Sequence, residues 1–513
     1  MRRLARLTLE QVDSERVLRF PLHVLRAGPV LPLRPQAGMP NPVAVAEDAS
    51  WPWALLDDCR RVLGNEVQAL LVDREQLLTV LNQVFDMASA SAEEMLEDLA
   101  DDADDLAREI EEVGDLLEAD DDAPVIRLVN TLISQALKDR ASDIHIEPFE
   151  QRVKVRFRVD GILHTIVEPP KGVQAALTSR VKVMAGMDIA EKRQPQDGRF
   201  RVKIAGRDVD VRVSVLPTAH GERVVMRLLD KGARMLTLPE LGMSKQQLSL
   251  LRRVIRAPHG IALVTGPTGS GKSTTLYAAL MEVDRANRNV MTIEDPIEYQ
   301  LEGVGQMQVQ PKIGVDFAAG LRSILRQDPD IIMIGEIRDL ETAEIAVQAS
   351  LTGHLVMATL HTNDALSSIV RLRDMGVEPY LIASSLLLVQ AQRLVRRLCP
   401  HCKRARPPRA DEIDALEAGA LAGVTQIFEP VGCARCMHTG FLGRIAIYEM
   451  SMISERMRDL IHAGEGLPGL RALAAKEGMR SLRADGARHV AEGITTIDEV
   501  LRVAREEAVV VEA

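Results

Sequence analysis

Residues 261–273 read Ile-Ala-Leu-Val-Thr-Gly-Pro-Thr-Gly-Ser-Gly-Lys-Ser, an apolar run followed by a glycine-rich turn and a lysine. The run has the length and composition of a buried strand, and residues 274–288 have the pattern of a helix. A glycine-rich turn between a strand and a helix points backbone N–H groups at phosphate oxygens, and the helix dipole adds to the attraction. The stretch therefore predicts the phosphate-binding loop of a nucleoside triphosphatase.

The residues of this loop have separate predicted tasks. Three glycines let the backbone curl around the phosphates, Lys272 is expected to reach the β and γ phosphates, and Ser273 is expected to hold Mg²⁺. The predicted nucleotide-binding set is Gly266, Pro267, Thr268, Gly269, Ser270, Gly271, Lys272, Ser273 and Thr274.

Acidic residues end two further apolar strands. Glu336 closes the run that begins at Asp330, and it is the first choice for the carboxylate that orients the attacking water or the Mg²⁺ shell. Gly335 stands where many P-loop enzymes place a metal-binding aspartate, which puts direct Mg²⁺ coordination in question. Glu294, crowded by Asp295 and Glu298, is the second candidate. The sequence leaves the choice of catalytic base open between Glu336 and Glu294.

Two histidines, His354 and His361, flank the apolar strand predicted over residues 355–360. Taken alone, both are interpreted as structural residues, with a catalytic or γ-phosphate-sensing role as the second interpretation. His361 completes the candidate catalytic set with Lys272 and the two glutamates.

The 513-residue length favours two to four domains, and an apolar content of 46% can supply each with a core. No apolar run approaches the roughly 20 residues that a membrane-spanning helix needs. The net charge of −11 is local: residues 91–122 hold sixteen acidic residues and one arginine, −15 in all, so the remainder carries +4. Overall acidity therefore does not exclude an anionic ligand.

The first 122 residues divide into two segments. Residues 1–88 begin with a proline-rich stretch and end in a predicted helix from Val67 to Phe85, which together indicate a small mixed domain. Apolar residues recur at heptad-like spacing between Leu99 and Leu117, so an amphipathic helix is preferred to a disordered linker for residues 89–122.

Alternating basic and apolar residues characterise the segment that follows. A helix is predicted to start at Pro124, and residues 152–159 alternate strictly before an Asp160-Gly161 turn. Residues 199–204 and 208–215 form a second predicted hairpin with Arg199 and Arg212 on its polar faces. A solvated polar face is the ordinary interpretation, but this density of cations makes a facing polyphosphate or acidic surface plausible. From residue 240, strands and helices alternate as in a parallel α/β sheet.

Two C-x-x-C pairs, Cys399 with Cys402 and Cys433 with Cys436, suit a tetrahedral zinc site of four thiolates. Four thiolates leave no open coordination position, so the predicted Zn²⁺ is structural rather than catalytic. His401 and His438 are the reserve ligands, and Cys59 is expected to be a lone thiol.

Four segments resemble the Walker A, Asp, Walker B and His boxes of the secretion ATPase superfamily: TGPTGSGKSTTLYA, TIEDPIEY, ILRQDPDIIMIGEIRD and LTGHLVMATLHTNDA. Upstream, ASDIHIEPFEQRVKVRFRVDG and EKRQPQDGR resemble its N-terminal sensor domain, so the resemblance runs from about Pro124 to Val503. The tetracysteine insert is typical of type II secretion E proteins and many pilus assembly ATPases, whereas retraction ATPases lack it. The chain is most similar to the type II secretion E family.

This resemblance implies a multidomain α/β architecture built around a RecA-like P-loop ATPase core. The implied domains are a recruitment domain over 1–88, an acidic linker over 89–122 that is expected to be helical, a PAS-like α+β sensor domain over 123–232, the RecA-like core over 240–395, a tetracysteine zinc subdomain over 396–445 and a C-terminal helical region over 446–513. Sensor-domain arginines are expected to reach phosphate in this family, and the matching candidates are Arg199, Arg212, Arg193 and Arg227.

The implied activity is hydrolysis of ATP with Mg²⁺ by a homohexameric motor that drives pseudopilus assembly and protein export. The implied location is cytoplasmic, attached to the inner membrane through the cytoplasmic domain of the L subunit, which residues 1–88 would contact, and through the F platform protein. A type IV pilus assembly ATPase is the alternative. A nucleic-acid translocase is disfavoured because the 14 aromatic residues do not cluster near the basic strands, so no nucleic acid is expected. A nonhydrolytic scaffold is disfavoured by the intact Lys272, Ser273 and Glu336.

Overall fold

The structure is a computed structural model that divides into two compact units, Met1–Ala233 and Arg234–Ala513. It describes residues 2–4, 7–8, 11–17, 25, 30–35, 39, 41–46, 60, 67–74, 76–81, 124–204, 207–230, 234–417 and 419–504. The acidic segment with its predicted amphipathic helix, and Cys59, lie outside these residues.

The beginning of the first unit contains a small four-stranded sheet. Its elements are β1 (Arg2–Arg3), α1 (Ser14–Val17), β2 (Val30–Pro32), β3 (Asn41–Ala46) and β4 (Val67–Val72), with strand order β1-β4-β3-β2. The helix predicted from Val67 is wrong over β4, which pairs in parallel with β3 so that Leu70 lies opposite Ala44. A short apolar run suits a strand or a helix equally, and here pairing with β3 decides. Residues 76–81 are helical.

The described residues from Pro124 to Asp230 form an antiparallel sheet with two α-helices. Its elements are α2 (Pro124–Lys138), β5 (Ala141–Pro148), β6 (Val153–Val159), β7 (Ile162–Val167), α3 (Gln174–Met184), β8 (Gln196–Ile204), β9 (Arg207–Thr218) and β10 (Gly221–Asp230), in the order β7-β6-β5-β10-β9-β8. The predicted helix start at Pro124 is confirmed. The predicted turn is confirmed by positive φ angles at Asp160 and Gly161 (49° and 87°), as a tight hairpin requires. The PAS-like assignment remains a prediction.

The second unit is built on a seven-stranded sheet in the order β13-β12-β14-β15-β11-β16-β19. All neighbouring strands are parallel except β16 and β19, which confirms the predicted α/β class. The elements are α4 (Lys245–Ile255), β11 (Gly260–Thr265), α5 (Lys272–Met281), β12 (Val290–Glu294), β13 (Gly305–Gln308), α6 (Phe317–Ile324), β14 (Ile331–Ile334), α7 (Leu340–Leu351), β15 (Leu355–Leu360), α8 (Ser367–Asp374), α9 (Pro379–Ser385), β16 (Leu386–Leu398), β17 (Arg404–Arg406), β18 (Ile427–Glu429), β19 (Phe441–Met452), α10 (Glu455–His462), α11 (Leu467–Lys476), α12 (Leu482–Ala491) and α13 (Ile497–Val503).

Helix α5 ends at Met281, seven residues before the predicted end at Arg288. The Asn287 amide donates to the Asp284 carboxylate at 2.8 Å, a local bond that competes with helical backbone pairing. Aspartate and asparagine favour turns for this reason, so the chain leaves the helix before them.

The register of the sheet brings the ends of four parallel strands to one edge. Thr265 lies opposite Leu360, and Ile334 lies opposite both Ala358 and Ile293. Residues that follow β11, β12, β14 and β15 therefore meet at the carboxyl edge, where open α/β sheets bind ligands. No helix in the described part of the chain is long and apolar enough to cross a membrane.

Candidate active site

The glycine loop connects β11 to α5, as the sequence predicts, and it approaches its surroundings too closely for side chains. Gly266 and Gly271 have φ angles of 146° and 87°. A Cβ atom at Gly266 would lie 2.6 Å from the carbonyl oxygen of Gln392 and 2.7 Å from the Ser270 hydroxyl. The backbone is therefore free to curl toward a bound anion only with glycine at this position.

Lys272 begins α5 and lies largely buried above the loop. Its ammonium group donates to the carbonyl oxygens of Gly266 at 2.8 Å and Pro267 at 3.2 Å. Burial lowers the pKa of Lys272 to about 8, although the charge of Glu336 opposes the shift. The lysine thus remains predominantly protonated at neutral pH, with its charge held at the mouth of the loop.

Glu336 follows β14 at the same edge of the sheet and joins this charge cluster. One carboxylate oxygen lies 3.0 Å from His361 Nε2, and the other lies 2.8 Å from the Arg338 guanidinium. Burial lowers the pKa of His361, and the positive charge of Lys272 lowers it further. The structure therefore brings together three predicted site residues, Lys272, Glu336 and His361.

Arg338 is a site residue that the sequence interpretation missed. A signal was present, because side chains two positions apart in an extended segment share a face, and Arg338 follows Glu336 at that spacing. Its guanidinium also lies 4.0 Å from Asp295, which follows β12. Arg338 thus links the two acidic strand ends.

Glu294, the second candidate base, lies in a different environment. It is buried, and its carboxylate accepts hydrogen bonds from the Tyr277 hydroxyl, from Thr292 Oγ1 at 2.5 Å and from Gln306 Nε2 at 3.0 Å. Burial and the charge of Glu294 raise the pKa of Tyr277. This tyrosine therefore remains a hydrogen-bond donor, and Glu294 is part of a buried polar network.

His354 lies away from the glycine loop. It precedes β15, so the parallel register places it at the edge opposite to the loop. Its Nδ1 lies 2.8 Å from the carbonyl oxygen of Ala349. These contacts agree with the structural interpretation of His354, whereas His361 follows β15 at the loop edge.

Three of the four candidate arginines of the first unit form a row across its sheet. Arg199 lies directly opposite Arg212, and Arg212 lies directly opposite Arg227. Residues directly opposite one another share a sheet face. Arg227 also donates to Asp143 at 2.9 Å, whereas Arg193 is exposed and forms an ion pair with Glu191 at 2.9 Å.

The cations on the basic face of β6 have carboxylate partners, as Arg227 does. Arg152 and Lys154 pair with Glu168, Arg156 pairs with Glu147, and Arg158 pairs with Asp143. The ion pairs account for this face without an external anion, in agreement with the ordinary interpretation of a polar surface.

The four cysteines come together between β16 and β19. Their Sγ atoms all lie within 4.8 Å of one another, and three separations are 4.0, 3.8 and 3.7 Å. Zn–S bonds of about 2.3 Å in a tetrahedron place sulfur atoms about 3.8 Å apart, so the spacing fits a tetrathiolate metal site. Each residue offers one ligand atom, and neither His401 nor His438 belongs to the group.

Backbone N–H groups of the surrounding turns point at these sulfur atoms. Gly432 N lies 3.3 Å from the sulfur of Cys402, and Gly440 N lies 3.2 Å from that of Cys436. Burial raises the pKa of Cys436, but N–H bonds from Cys433 and Gly440 outweigh this and bring it to about 7. The thiolate form that binds metals is therefore favoured at this ligand.

A glycine-rich loop between strand and helix, a buried lysine and a glutamate that follows another strand of the same parallel sheet define a P-loop nucleoside triphosphatase. Residues 118–502 match the family model described as "Type II/IV secretion system protein". The chain is 52% identical over 470 residues to type II secretion system protein E of Aeromonas hydrophila, which covers 91% of this chain and 93% of that protein. It belongs to the family of type II secretion system E proteins.

Another relative agrees with this membership, and two solved structures share the fold. The chain is 50% identical over 459 residues to the type II secretion system ATPase E of Vibrio cholerae, covering 88% of this chain and 90% of that protein. The Legionella pneumophila ATPase DotB shares the fold, with a TM-score of 0.54 and 22% identity over 73% of this chain and 94% of its own. The pilus retraction motor PilT, solved with bound ADP, has a TM-score of 0.50 and 26% identity over 73% and 96%.

Proposed function

We propose that this chain is the ATP-hydrolysing motor that powers pseudopilus assembly and protein export in type II secretion. The observation that carries the proposal is the meeting of Lys272, Glu336 and His361 beside the glycine loop, in a chain about half identical to type II secretion E proteins. The family relatives favour this role over the alternative of a type IV pilus assembly ATPase.

In the proposed reaction, the curled backbone of residues 266–271 and the start of α5 hold the ATP phosphates. Lys272 turns from the loop carbonyls, to which it donates, toward the β and γ phosphates. Glu336 orients the attacking water and accepts a proton from it, while His361 contacts one carboxylate oxygen of Glu336. Ser273 would hold Mg²⁺, which neutralises phosphate charge when bound.

The arginine row of the first unit supplies the remaining charge in this proposal. Arg199 and Arg212 are the first candidates to reach the phosphates, followed by Arg193 and Arg227. Like charges directly opposite one another destabilise a sheet, and a phosphate anion would offset that repulsion. Arg227 differs from Arg199 in being tied to Asp143, so Arg199 is the better candidate to move onto a ligand.

Three assembly features complete the proposal. The chain acts as a homohexamer in the cytoplasm, residues 1–88 attach it to the L subunit at the inner membrane, and the F platform protein receives the motion. Zn²⁺ held by Cys399, Cys402, Cys433 and Cys436 stabilises the end of the β16–β19 pair. We expect no nucleic-acid ligand, because cations of the β6 face are paired with carboxylates of the same chain.

Phosphate release by the purified full chain with Mg²⁺ and ATP tests the enzymatic proposal. We expect hydrolysis that Lys272→Ala abolishes while the fold is retained; equal rates in both proteins would refute the assigned site.

Removal of residues 1–88 is expected to end membrane fractionation and spare hydrolysis. Metal analysis of Cys399→Ser is expected to show loss of bound zinc, and zinc content equal to wild type would exclude the tetrathiolate site.

A further inference from the structure

Strand β16 runs beside β11 and continues past its end. Thr265, the last residue of β11, lies opposite Ala391, so Gln392 and Arg393 extend alongside the glycine loop. Both side chains are buried, and successive side chains of a strand point to opposite faces. We infer that Gln392 is a positioning residue for the glycine loop and Arg393 one for the loop that carries His361. The inference rests on the proposed ATPase function.

The amide of Gln392 is bonded to the glycine loop and to α5 at once. Its Nε2 donates to the carbonyl oxygen of Ser270 at 2.7 Å, and its Oε1 accepts from Thr275 Oγ1 at 2.8 Å. In a trans peptide the C=O and N–H groups point in opposite directions. Because the Ser270 carbonyl is held toward β16, the N–H of Gly271 in the same peptide faces away from β16. Gln392 thereby fixes the direction of one phosphate-binding N–H group.

Arg393 holds the other loop. Its guanidinium donates to the carbonyl oxygen of Asn363 at 2.7 Å and to that of Gln392 at 3.1 Å. Asn363 is two residues from His361, which contacts Glu336. A Cβ atom at Gly266 would lie 3.1 Å from the same guanidinium, so Arg393 touches the start of the glycine loop as well. It therefore fixes the spacing between the His361 loop and the phosphate-binding loop.

Two carboxylates, those of Glu449 and Asp364, interact electrostatically with Arg393. Burial lowers the pKa of Arg393, and the charges of Glu449 and Asp364 oppose this shift. Glu449 Oε1 also accepts from the backbone N–H of Ala365 at 2.9 Å, which anchors the far end of the His361 loop to β19. The guanidinium is held from several sides, as a residue that sets loop geometry must be.

The substitution Gln392→Met tests the role of Gln392, because it keeps the volume and removes the hydrogen bonds to Ser270 and Thr275, together with the one from Gln390 at 3.1 Å. We expect about a tenfold rise in the Kd for Mg-ADP, the upper range for one lost hydrogen bond, measured by calorimetry on the full chain. The matched control is Gln247→Met, a buried glutamine on α4 whose amide lies 3.4 Å from the carbonyl oxygen of Tyr448. It is expected to lower the melting temperature and leave this Kd unchanged.

A folded Gln392→Met protein with the wild-type Kd for Mg-ADP overturns the positioning role of Gln392. If Gln392→Met does not fold, Gln392→Glu serves instead, since it keeps the acceptor for Thr275 and removes the donor to Ser270. A similar rise in Kd then supports the role, and an unchanged Kd overturns it.

The role of Arg393 is tested by measuring turnover and nucleotide binding separately. We expect Arg393→Met to lower kcat by about tenfold while the Kd for Mg-ADP stays within about threefold, because His361 and not the phosphate loop loses its support. Arg393→Lys, which keeps one donor for Asn363, is expected to restore most of the loss. The control is Arg396→Met, three residues along β16, where Arg396 donates to buried Glu499 at 2.7 Å. Equal losses of kcat in Arg393→Met and Arg396→Met would show a merely structural role.

Failure of this inference is distinguishable from failure of the proposed function. A wild-type chain whose phosphate release Lys272→Ala leaves unchanged defeats the function. Hydrolysis that requires Lys272, together with wild-type Kd and kcat in the Gln392 and Arg393 variants, defeats the inference alone.

Discussion

Two glutamates end neighbouring parallel strands, and their surroundings differ. The side chain of Glu336 is 21% exposed and meets His361 and Arg338, which are themselves 42% and 58% exposed. Glu294 is 4% exposed as a residue, and its carboxylate accepts from buried Tyr277 and Thr292 and from half-buried Gln306. A carboxylate with exposed partners can exchange one of them for a water molecule, whereas one with buried partners cannot do so without breaking a network. Position at a strand end therefore does not distinguish the two glutamates, and the accessibility of the partners favours Glu336 as the base.

The largest expected effect is that of Glu336→Gln. Loss of a general base should lower kcat by about 10²–10⁴-fold while ATP binding is retained, because the amide cannot accept the proton of water. Single-turnover hydrolysis and equilibrium binding of ATP would be compared with wild type. Tight binding with unchanged turnover would transfer the role to Glu294 and reverse the comparison.

A smaller effect is expected for His361→Gln. The amide can still donate to Glu336, so kcat should fall by only about tenfold, at the low end for a group that supports a base. Burial and the charge of Lys272 lower the pKa of His361, so the imidazole is uncharged at neutral pH. As pH falls through this lowered pKa, the ring becomes charged, binds Glu336 more tightly and withdraws it from water.

Wild-type kcat should therefore decrease on the acid side, and the part of that decrease due to His361 should be absent in His361→Gln. The measurement is the profile of kcat between about pH 5 and 8, which spans the ordinary pKa of histidine, about 6.5. Identical profiles in the two proteins would remove His361 from the site.

Glu294→Gln is expected to alter stability more than chemistry. The new amide group faces the donors Tyr277 and Gln306, which should cost about 1–3 kcal/mol in the free energy of unfolding. Turnover should stay within about threefold of wild type, since no reacting group is removed. Asp295→Asn is the control, because its side chain is 41% exposed and its exposed ion pair is worth at most about 1 kcal/mol. A hundredfold loss of kcat in stable Glu294→Gln would contradict the assignment.

Tyr277→Phe should have the smallest effect. It removes one donor to Glu294, while Thr292 and Gln306 remain, and the expected cost is about 1 kcal/mol. Urea unfolding of the two proteins measures this difference. A loss of turnover without a loss of stability would place Tyr277 and Glu294 in the reaction.

Much of this site was predictable from local pattern. A strand, a glycine loop and a helix adjoin in the sequence, so the position of Lys272 followed directly. Glu336 and His361 follow strands of one parallel sheet, and the carboxyl ends of such strands share an edge. The cysteine spacing likewise indicated the group that the structure brings together.

What local pattern could not supply was long-range partnership. The network of Glu294 depends on Tyr277 and Gln306, which lie on separate elements 17 and 12 residues away. The strand character of β4 depends on pairing with β3 and not on its own residues, which also suit a helix. Gln392 lies 122 residues from Ser270 and 117 residues from Thr275 in the sequence. Only the order of strands in the sheet brings Gln392 and Arg393 beside the glycine loop.

The row of Arg199, Arg212 and Arg227 also has a consequence for how the first unit responds to its solvent. Guanidinium groups in adjacent cross-strand positions repel one another, and mobile counterions reduce that repulsion. Polyvalent anions do so more effectively than chloride, and any anion bound by the folded sheet alone shifts the folding equilibrium toward it. The stability of the sheet that contains residues 124–230 is therefore expected to depend on ionic composition, and a polyvalent anion bound to this row would stabilise the folded sheet.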